Sequence, residues 1–320
     1  MGPCRMSRAR NDSMHEPLSI LQTEQVLHAG CKANLYLLIK EKRPDGLHEL
    51  ESFFLPLPAP SDTIRVRQAQ AGQGLCLRCS MPELAGRNNS IAAAWRLYGE
   101  RTGFYPDLEV FLEKGIPVGA GLGGGSSDAA VMLRLLNDLA PPEVGLKEAG
   151  LQEVAARIGA DVPFFLMNRP AWAEGAGERL HPVDVDLPDC CLLVVCPDEQ
   201  ISTREAYHML DASRSVEGLP SGNGALTTAA NTFTGSLRFT GRLFFNSFET
   251  VIFGAYPALG ALKRELLKRG ASGAVLSGSG AALLAAFVGK QEAESAAAFL
   301  QEHDVSCYTA EHADWGVAKR

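Results

Sequence analysis

Apolar and polar residues alternate through the first third of the chain, with a period of two that predicts β-strands. From Gln25 to Ile39 the pattern indicates a pair of strands. The Pro-Asp-Gly text within Arg43–Gly46 is typical of a tight turn. The same alternation predicts further strands at HELESFFLPL (48–57), Asp62–Gln68, Leu75–Ser80 and Leu108–Pro117.

Apolar residues at helical spacing predict five helices. The first follows Asn88, Asn89 and Ser90, whose side chains can cap it. In the second, one apolar stripe is formed by Ala129, Leu133, Leu136 and Ala140. The five predicted segments are Ile91–Glu100, Ser127–Leu139, Leu151–Ile158, Ala258–Arg269 and Gln291–Glu302.

The second half of the chain contains an uncharged stretch, Ala271–Val288, that has the length of a membrane span. Glycines and serines interrupt its middle, so it predicts strand, turn and strand in a soluble protein. The text DCCLLVVCP (189–197) predicts a short buried strand, and Ser213–Gly241 predicts a long surface loop. Because strands and helices mix without regular βαβ units, the expected fold class is α+β.

The length of the chain indicates its number of domains, and its net charge disfavours nucleic-acid binding. A chain of 320 residues suggests two domains, and a net charge of −7 offers no basic field for a nucleic-acid backbone. Of the eight cysteines, only Cys76 and Cys79 form a CxxC pair, with no second pair to complete a zinc site. We therefore expect reduced thiols in a cytoplasmic protein. Residues 1–24 lack the apolar core of a secretion signal and are expected to be a flexible extension.

The run Pro117–Ser127, PVGAGLGGGSS, is the most informative segment, because five of its residues 119–125 are glycine. Glycine lets an anion approach backbone N–H groups more closely than any Cβ permits. The run leads into a predicted helix, whose N-terminus favours phosphate. Ser126 and Ser127 add hydroxyls for the helix cap, the phosphate or a magnesium ion. The segment predicts a phosphate-binding loop.

Three other interpretations of this run are less favoured. It lacks the Gly-Lys-Ser/Thr ending of a P-loop. It matches GxGxxG at Gly119, Gly121 and Gly124, but without the βαβ context and acidic residue of a dinucleotide site. A flexible linker is disfavoured because strong periodicity flanks both sides.

Two further residues are candidates for the positioning and charge neutralisation that phosphoryl transfer needs. Lys32 opens an alternating strand, where it would face a cleft or the solvent. Asp161 lies between a predicted helix and an apolar Pro-Phe-Phe, where it would serve as a general base or as a helix-end aspartate. Position alone leaves both interpretations open.

Four segments together resemble the successive motifs of the GHMP (galacto-, homoserine, mevalonate and phosphomevalonate) kinase superfamily. They are KANLYLLIKEKRPDGLHELESFF from Lys32, PVGAGLGGGSSDAA from Pro117, GADVPFF from Gly159 and SGSGAAL from Ser277. The resemblance runs from about Gln25 to Ala310. The first and third segments resemble the superfamily's erythritol kinase branch, which phosphorylates a cytidylated methylerythritol in non-mevalonate isoprenoid biosynthesis.

The resemblance implies a two-domain fold, with a ribosomal S5-like ATP-binding domain over 25–168 and a ferredoxin-like domain over 169–320. It implies ATP and Mg²⁺ as cofactors, a small cytidine diphosphate substrate, no nucleic-acid or membrane partner, and a cytoplasmic monomer or homodimer. No protein ligand for a metal is implied.

The resemblance also implies roles for individual residues. Asp161 matches the catalytic aspartate and Lys32 the lysine beside it. Asn34, His48 and Tyr207 match substrate-binding positions, with His48 directed toward the cytosine and Tyr207 stacked on it. The residues that match ATP-binding positions are Pro117, Val118, Gly119, Ala120, Gly121, Leu122, Gly123, Gly124, Gly125, Ser126 and Ser127, with Ser277, Gly278, Ser279 and Gly280.

Two positions depart from the family pattern. Leu47 stands where a tyrosine is usual, so the cytosine would lie between Leu47 and Tyr207, with a higher KM. Ser247, in Asn246–Glu249, replaces an acid, which puts the local hydrogen bonding in doubt. Another superfamily kinase acting on homoserine or mevalonate, a non-catalytic nucleotide-binding member and, more distantly, a dinucleotide-dependent oxidoreductase are the alternative functions.

Overall fold

A computed structural model describes residues 21, 23–186, 190–217, 237–238 and 243–311. The strands are β1 (Gln25–Lys42), β2 (His48–Gln68), β3 (Leu75–Cys79), β4 (Leu108–Glu113), β5 (Ala171–Gly175), β6 (Arg179–Pro182), β7 (Val185–Asp186), β8 (Cys191–Cys196), β9 (Leu237–Arg238), β10 (Phe245–Asn246), β11 (Gly273–Leu276), β12 (Leu283–Phe287) and β13 (Ser306–Glu311). The helices are α1 (Ser90–Thr102), α2 (Gly124–Leu139), α3 (Glu148–Ile158), α4 (Val162–Met167), α5 (Thr203–Glu217), α6 (Glu249–Ala255), α7 (Pro257–Lys268) and α8 (Lys290–Glu302).

Two sheets carry the fold. In the described residues the larger has seven strands, in the order β10-β1-β2-β4-β3, with β5 pairing with β2 and β6 with β5. The smaller is antiparallel, in the order β11-β12-β8-β13. Its chain order, β8, helices, β11, β12, α8 and β13, is the split βαβ arrangement of ferredoxin-like domains, as expected. The predicted domain boundary at 168/169 stays a prediction; β5, β6 and β10, which follow it, extend the larger sheet.

The core has three layers. One lies between the larger sheet and helices α1–α4, one between the two sheets, and one between the smaller sheet and helices α5–α8. Strand β8 is apolar throughout because both of its faces are covered. Leu192 and Val194 face the larger sheet, and Leu193 and Val195 face the helices. A strand covered on both faces has no polar side to present.

The hairpin of β1 and β2 differs from the sequence prediction. The predicted strand pair over 25–39 is wrong, because β1 is one 18-residue strand. The separate strands predicted at 48–57 and 62–68 are likewise joined in the 21-residue β2. Register shifts at Gly30, at Leu35 and between Ile39 and Lys42 bend the hairpin without ending it. The turn at Arg43–Gly46 is confirmed by the 3.0 Å hydrogen bond from Gly46 N to Arg43 O.

The predicted helices are confirmed within a few residues, and Asn89 caps α1 by accepting from Ile91 N at 2.8 Å. Helix α2 begins at Gly124, earlier than predicted, and Ala140 lies beyond its end in extended backbone. The stretch 271–288 forms β11, a turn and β12, as predicted.

Further sequence predictions concern the loop over 213–241, a membrane span and the cysteines. The surface loop predicted over 213–241 is wrong at its ends, because α5 continues to Glu217 and β9 occupies 237–238; the rest lies outside the described residues, as do residues 1–20 and 22. No helix in the described residues is long and apolar enough to cross a membrane. The described cysteines are free thiols, and burial raises the pKa of Cys196 to about 12.

Candidate active site

The glycine loop joins β4 to α2 and adopts a backbone that requires glycine. Gly119, Gly121 and Gly123 have φ values of 74°, 76° and 74°, in the left-handed region that side chains disfavour. Gly123 precedes the first turn of α2, which has no side-chain cap. The free N–H groups of that turn form the kind of site that binds phosphate.

The serine-glycine turn 277–280 packs against this loop. A Cβ on Gly121 would lie 2.2 Å from Ser277 O. Ser277 Oγ lies 3.4 Å from both Gly121 O and the Asn34 backbone nitrogen. Strand β1 also holds the loop through a 2.9 Å bond from Lys32 N to Leu122 O. The contacts fix the loop between β1 and the turn that precedes β12.

Replacement of Gly121 by alanine is expected to raise the dissociation constant for an ATP analogue by about 10–100-fold, because both the left-handed backbone and the Cβ clash are unfavourable. Titration calorimetry with a non-hydrolysable analogue measures this. Gly254→Ala on α6, where a Cβ meets no atom within 4 Å, is the matched control. Equal affinities of the Gly121 variant and this control would contradict the assignment of the loop.

Two cavities meet at the glycine loop. The first, of about 470 Å³, is lined by residues 83–84 and 86–90 and by Lys114 and Asp128, besides the loop. The second, of about 460 Å³, is lined by Lys32, Asn34, Asp161 and Tyr207. The cavities share Gly119, Gly121, Gly123, Gly124 and Gly125. We refer to them as the donor cavity and the acceptor cavity.

Lys32 and Asp161 form the charged centre of the acceptor cavity. Lys32 Nζ lies 3.4 Å from Asp161 Oδ2, 2.8 Å from Asn34 Oδ1 and 4.5 Å from the centre of the Phe54 ring. The Lys32 side chain is 6% exposed and that of Asp161 29%. The ammonium is thus held by its neighbours, while the carboxylate remains open to a ligand.

Asn34 is oriented by a chain of hydrogen bonds on its other side. Its Nδ2 donates to Ser52 Oγ at 2.8 Å, and Ser52 Oγ donates to Tyr36 O at 2.6 Å. This chain fixes the amide with its oxygen toward Lys32. Asn34 therefore positions the ammonium, besides lining the cavity.

Tyr207, which lines the acceptor cavity, packs against His48, which does not line it. Their rings stack with centroids 4.8 Å apart, and His48 Nε2 lies 2.7 Å from Asp211 Oδ1. Burial, followed by the charges of Asp161 and Asp211, raises the pKa of Tyr207 to about 12, so its hydroxyl stays protonated. Leu47, predicted opposite Tyr207, is 54% exposed. The aromatic rings beside Tyr207 are those of His48 and Phe248.

Local hydrogen bonds hold the segment Asn246–Glu249, in which Ser247 departs from the family pattern. Ser247 Oγ accepts from Ile39 N at 3.0 Å. Asn246 Nδ2 donates to Leu276 O and Gly278 O, both at 2.7 Å. Glu249 Oε1 accepts from Leu276 N at 2.9 Å. Ser247 therefore bonds β1, while Asn246 and Glu249 support the serine-glycine turn.

The predicted site residues divide into those that line a cavity and those that do not. Pro117–Gly125 lines the donor cavity, and Lys32, Asn34, Ser126, Asp161, Tyr207, Gly278 and Ser279 line the acceptor cavity. Ser127 and Ser277 are buried behind the loop. His48, Ser127, Ser277 and Gly280 are not among the lining residues. The roles predicted for all of these site residues stay predictions.

Sequence reasoning missed several neighbours of the site. Thr203 Oγ1 lies 3.0 Å from Ser279 Oγ and lines the acceptor cavity with Phe248. Lys114 and Asp128 line the donor cavity. A signal for the last pair existed, since charged residues directly flank the loop motif and Asp128 interrupts an apolar helix face.

The chain matches two family models, the GHMP kinases N terminal domain over residues 89–169 and the GHMP kinases C terminal over residues 230–305. It is 46% identical to the 4-diphosphocytidyl-2-C-methyl-D-erythritol kinase of Solidesulfovibrio magneticus, covering 90% of this chain and 96% of that protein. It is 42% identical to the enzyme of the same name from Nitratidesulfovibrio vulgaris, covering 88% and 96%.

Solved structures agree. A crystal structure of 4-(cytidine 5'-diphospho)-2C-methyl-D-erythritol kinase superposes with a TM-score of 0.71 at 32% identity, covering 90% of this chain and 98% of that one. The mevalonate kinase of Methanococcus jannaschii shares the fold, with a TM-score of 0.66 at 12% identity over 91% and 98% of the two chains. The chain therefore belongs to the GHMP kinase family, in its 4-diphosphocytidyl-2-C-methyl-D-erythritol kinase branch.

Proposed function

We propose that the chain transfers the γ-phosphate of ATP to the 2-hydroxyl of 4-diphosphocytidyl-2-C-methyl-D-erythritol, a step in isoprenoid precursor biosynthesis by the methylerythritol phosphate route. The observation that carries the proposal is the Lys32–Asp161 pair, 3.4 Å apart in a cavity that also borders the glycine loop. The names of the relatives supply the acceptor. We also propose a cytoplasmic enzyme, as a monomer or homodimer.

Each substrate has a cavity suited to it. ATP would place its nucleoside in the donor cavity and its phosphates along the loop, at the uncapped start of α2. The acceptor would bring its methylerythritol hydroxyl to Asp161 and its cytosine toward Tyr207. The shared glycines lie between the two, where the phosphoryl group must pass.

The reaction needs one proton transfer and one displacement. The acceptor oxygen forms a bond to the γ-phosphorus, the bond from that phosphorus to the β,γ-bridging oxygen breaks, and ADP leaves with the electron pair. Asp161 orients the hydroxyl and accepts its proton. The Lys32 ammonium stabilises negative charge on the acceptor oxygen and on the transferred group.

The residues present also fit an Mg²⁺ ion that is held mainly by the phosphates of the nucleotide. Among the described residues no three His, Cys, Asp or Glu side chains are grouped to hold a metal. Magnesium at phosphate-transfer sites is held by substrate phosphates, waters and one or two protein oxygens. Ser126, which lines the acceptor cavity beside the loop, would supply such an oxygen. When bound, the ion neutralises phosphate charge.

A panel of acceptors tests the proposal against the other kinases of the family. With ATP and Mg²⁺ in excess, kcat/KM is measured for the cytidylated methylerythritol, homoserine and mevalonate. We expect turnover on the first only. Turnover on homoserine or mevalonate, or ATP binding without turnover on any of the three, would contradict the proposal.

Replacement of Tyr207 by alanine is expected to raise the KM for the cytidylated acceptor by about 5–100-fold, because stacking of a base on an aromatic ring contributes about 1–3 kcal/mol. Steady-state kinetics at saturating ATP measures this. Tyr207→Phe keeps the ring and is the matched control, with a KM near that of the parent chain. The same KM in the alanine and phenylalanine variants would show that the base does not stack there.

A further inference from the structure

A buried ionic cluster lies directly behind the glycine loop, and the chemistry proposed above makes no use of it. Asp62, on β2, is fully buried, and its Oδ1 accepts from Gly115 N at 2.7 Å and Ile116 N at 2.8 Å. These two residues immediately precede Pro117. One carboxylate oxygen therefore fixes the backbone by which the chain enters the loop.

The other oxygen of Asp62 binds a lysine that also reaches the exit of the loop. Lys114 Nζ pairs with Asp62 Oδ2 and lies 3.0 Å from Asp128 Oδ2. Asp128 is the fifth residue of α2 and is 1% exposed. The ammonium thus links β2, the segment that enters the loop and the helix that leaves it.

The cluster lies close to the loop itself. A Cβ on Gly124 would come within 3.2 Å of Asp62 Oδ2, and Lys114 and Asp128 both line the donor cavity. Charged side chains are rarely buried unless they are paired, and three at the base of one loop form a costly arrangement. A purely apolar contact would hold the same segments together, but it would place no charge behind the loop.

We propose that Asp62, Lys114 and Asp128 form an ionic staple that joins the two ends of the glycine loop and presets its N–H groups for the phosphates of the nucleotide. The three are positioning residues, since they act through the loop backbone. The inference rests on the proposed function in so far as the ligand is ATP, but it concerns nucleotide binding alone and needs no acceptor.

The charge of the staple changes near neutral pH. Burial, followed by the negative charge of Asp62, raises the pKa of Asp128 to about 7, although Lys114 opposes the shift. Among the described residues, the ionisable groups that act on Asp128 are Lys114, which follows β4, and Asp62, on β2. Burial alone would lower the pKa of Lys114, but the charges of Asp128 and Asp62 together raise it, so the ammonium stays charged.

The sign of the pH effect follows from these charges. With Asp128 protonated, the carboxylate of Asp62 and the ammonium of Lys114 sum to zero. With Asp128 ionised, the cluster carries one negative charge behind a loop that binds an anion. Nucleotide affinity should therefore fall as pH rises through about 7.

Calorimetric titration of the full chain with a non-hydrolysable ATP analogue and Mg²⁺, between pH 6 and pH 8.5, tests this. The phosphate of the analogue also titrates in this range, so the informative quantity is the difference between variants. Over this pH range we expect the dissociation constant of the parent chain to rise about fivefold more than that of Asp128→Asn. Coulomb's law gives an effect of this size for one partly screened charge at the distance between Asp128 and the loop. Asp138→Asn, an exposed position on the same helix, should follow the parent chain. Parallel profiles for the parent chain and Asp128→Asn would overturn the proposal.

A second measurement separates positioning from direct contact with the nucleotide. Without ligand, amide hydrogen exchange over residues 118–125 should be faster in Lys114→Met by about tenfold and restored by Lys114→Arg. A lysine that only touched the nucleotide would not change exchange in the unliganded protein. Unchanged exchange would overturn the staple. If Lys114→Met does not fold, the pH profile of Asp128→Asn decides alone. Loss of acceptor turnover with both results as expected would count against the proposed function and leave the staple standing.

Discussion

Replacement of Asp161 by asparagine is expected to lower kcat by about 10²–10⁴-fold, the range that a positioned general base contributes. The amide keeps the shape of the side chain and its place beside Lys32, but it cannot accept the proton of the acceptor hydroxyl. The affinity for ATP should change little, because Asp161 lies on the acceptor side of the loop. Steady-state kinetics with both substrates, together with calorimetric titration of an ATP analogue, measures both quantities.

The matched control is Asp304→Asn, at an exposed turn that follows α8. It removes the same charge at a distance from both cavities and should leave kcat unchanged. An Asp161 variant with kcat within about threefold of the parent chain would mean that the hydroxyl needs no base there, and positioning alone would then account for the rate.

Replacement of Lys32 by methionine is expected to lower kcat by about 10²–10³-fold, comparable to the loss of one oxyanion-stabilising group. The ammonium is nearly buried and is held by Asp161 and Asn34, so its charge is fixed before the reaction begins. Methionine fills similar space, including the contact with the Phe54 ring, without the charge. The measured loss should therefore reflect electrostatics more than packing.

Lys268→Met, at an exposed position near the end of α7, is the control for the charge change. Thermal unfolding of both variants guards against a stability effect, because Asn34 loses a hydrogen-bond donor when Lys32 is removed. A Lys32 variant whose KM for the acceptor rises while kcat stays the same would show that the lysine only binds substrate.

The sequence predicts those parts of the site that depend on glycine at particular positions or on the spacing of apolar residues. The glycine run predicts a phosphate-binding loop. The structure shows why glycine is needed there, since Gly121 has positive φ and no room for a Cβ. The glycines that interrupt residues 271–288 predict the turn between the two strands there. The family resemblance then indicated Lys32 and Asp161, which the structure brings within 3.4 Å of each other.

Other features depend on tertiary contacts that no local pattern encodes. β1 and β2 continue through bulges because neighbouring strands and both core layers support them, so the predicted breaks do not occur. The stacking of His48 on Tyr207 depends on Asp211, which lies more than 160 positions from His48 in the chain. Lys114 likewise bonds both Asp62, 52 positions before it, and Asp128, 14 positions after it.

Acceptor-dependent ADP release tests the central claim most directly. Purified protein is supplied with ATP and Mg²⁺, with and without 4-diphosphocytidyl-2-C-methyl-D-erythritol, and ADP and phosphorylated acceptor are quantified together. We predict one phosphorylated acceptor for each ADP, phosphorylated at the 2-hydroxyl, with little ADP formed when the acceptor is omitted. In Asp161→Asn this turnover should fall by about 10²–10⁴-fold. ADP release that does not depend on the acceptor, or no release although ATP binds, would contradict the account.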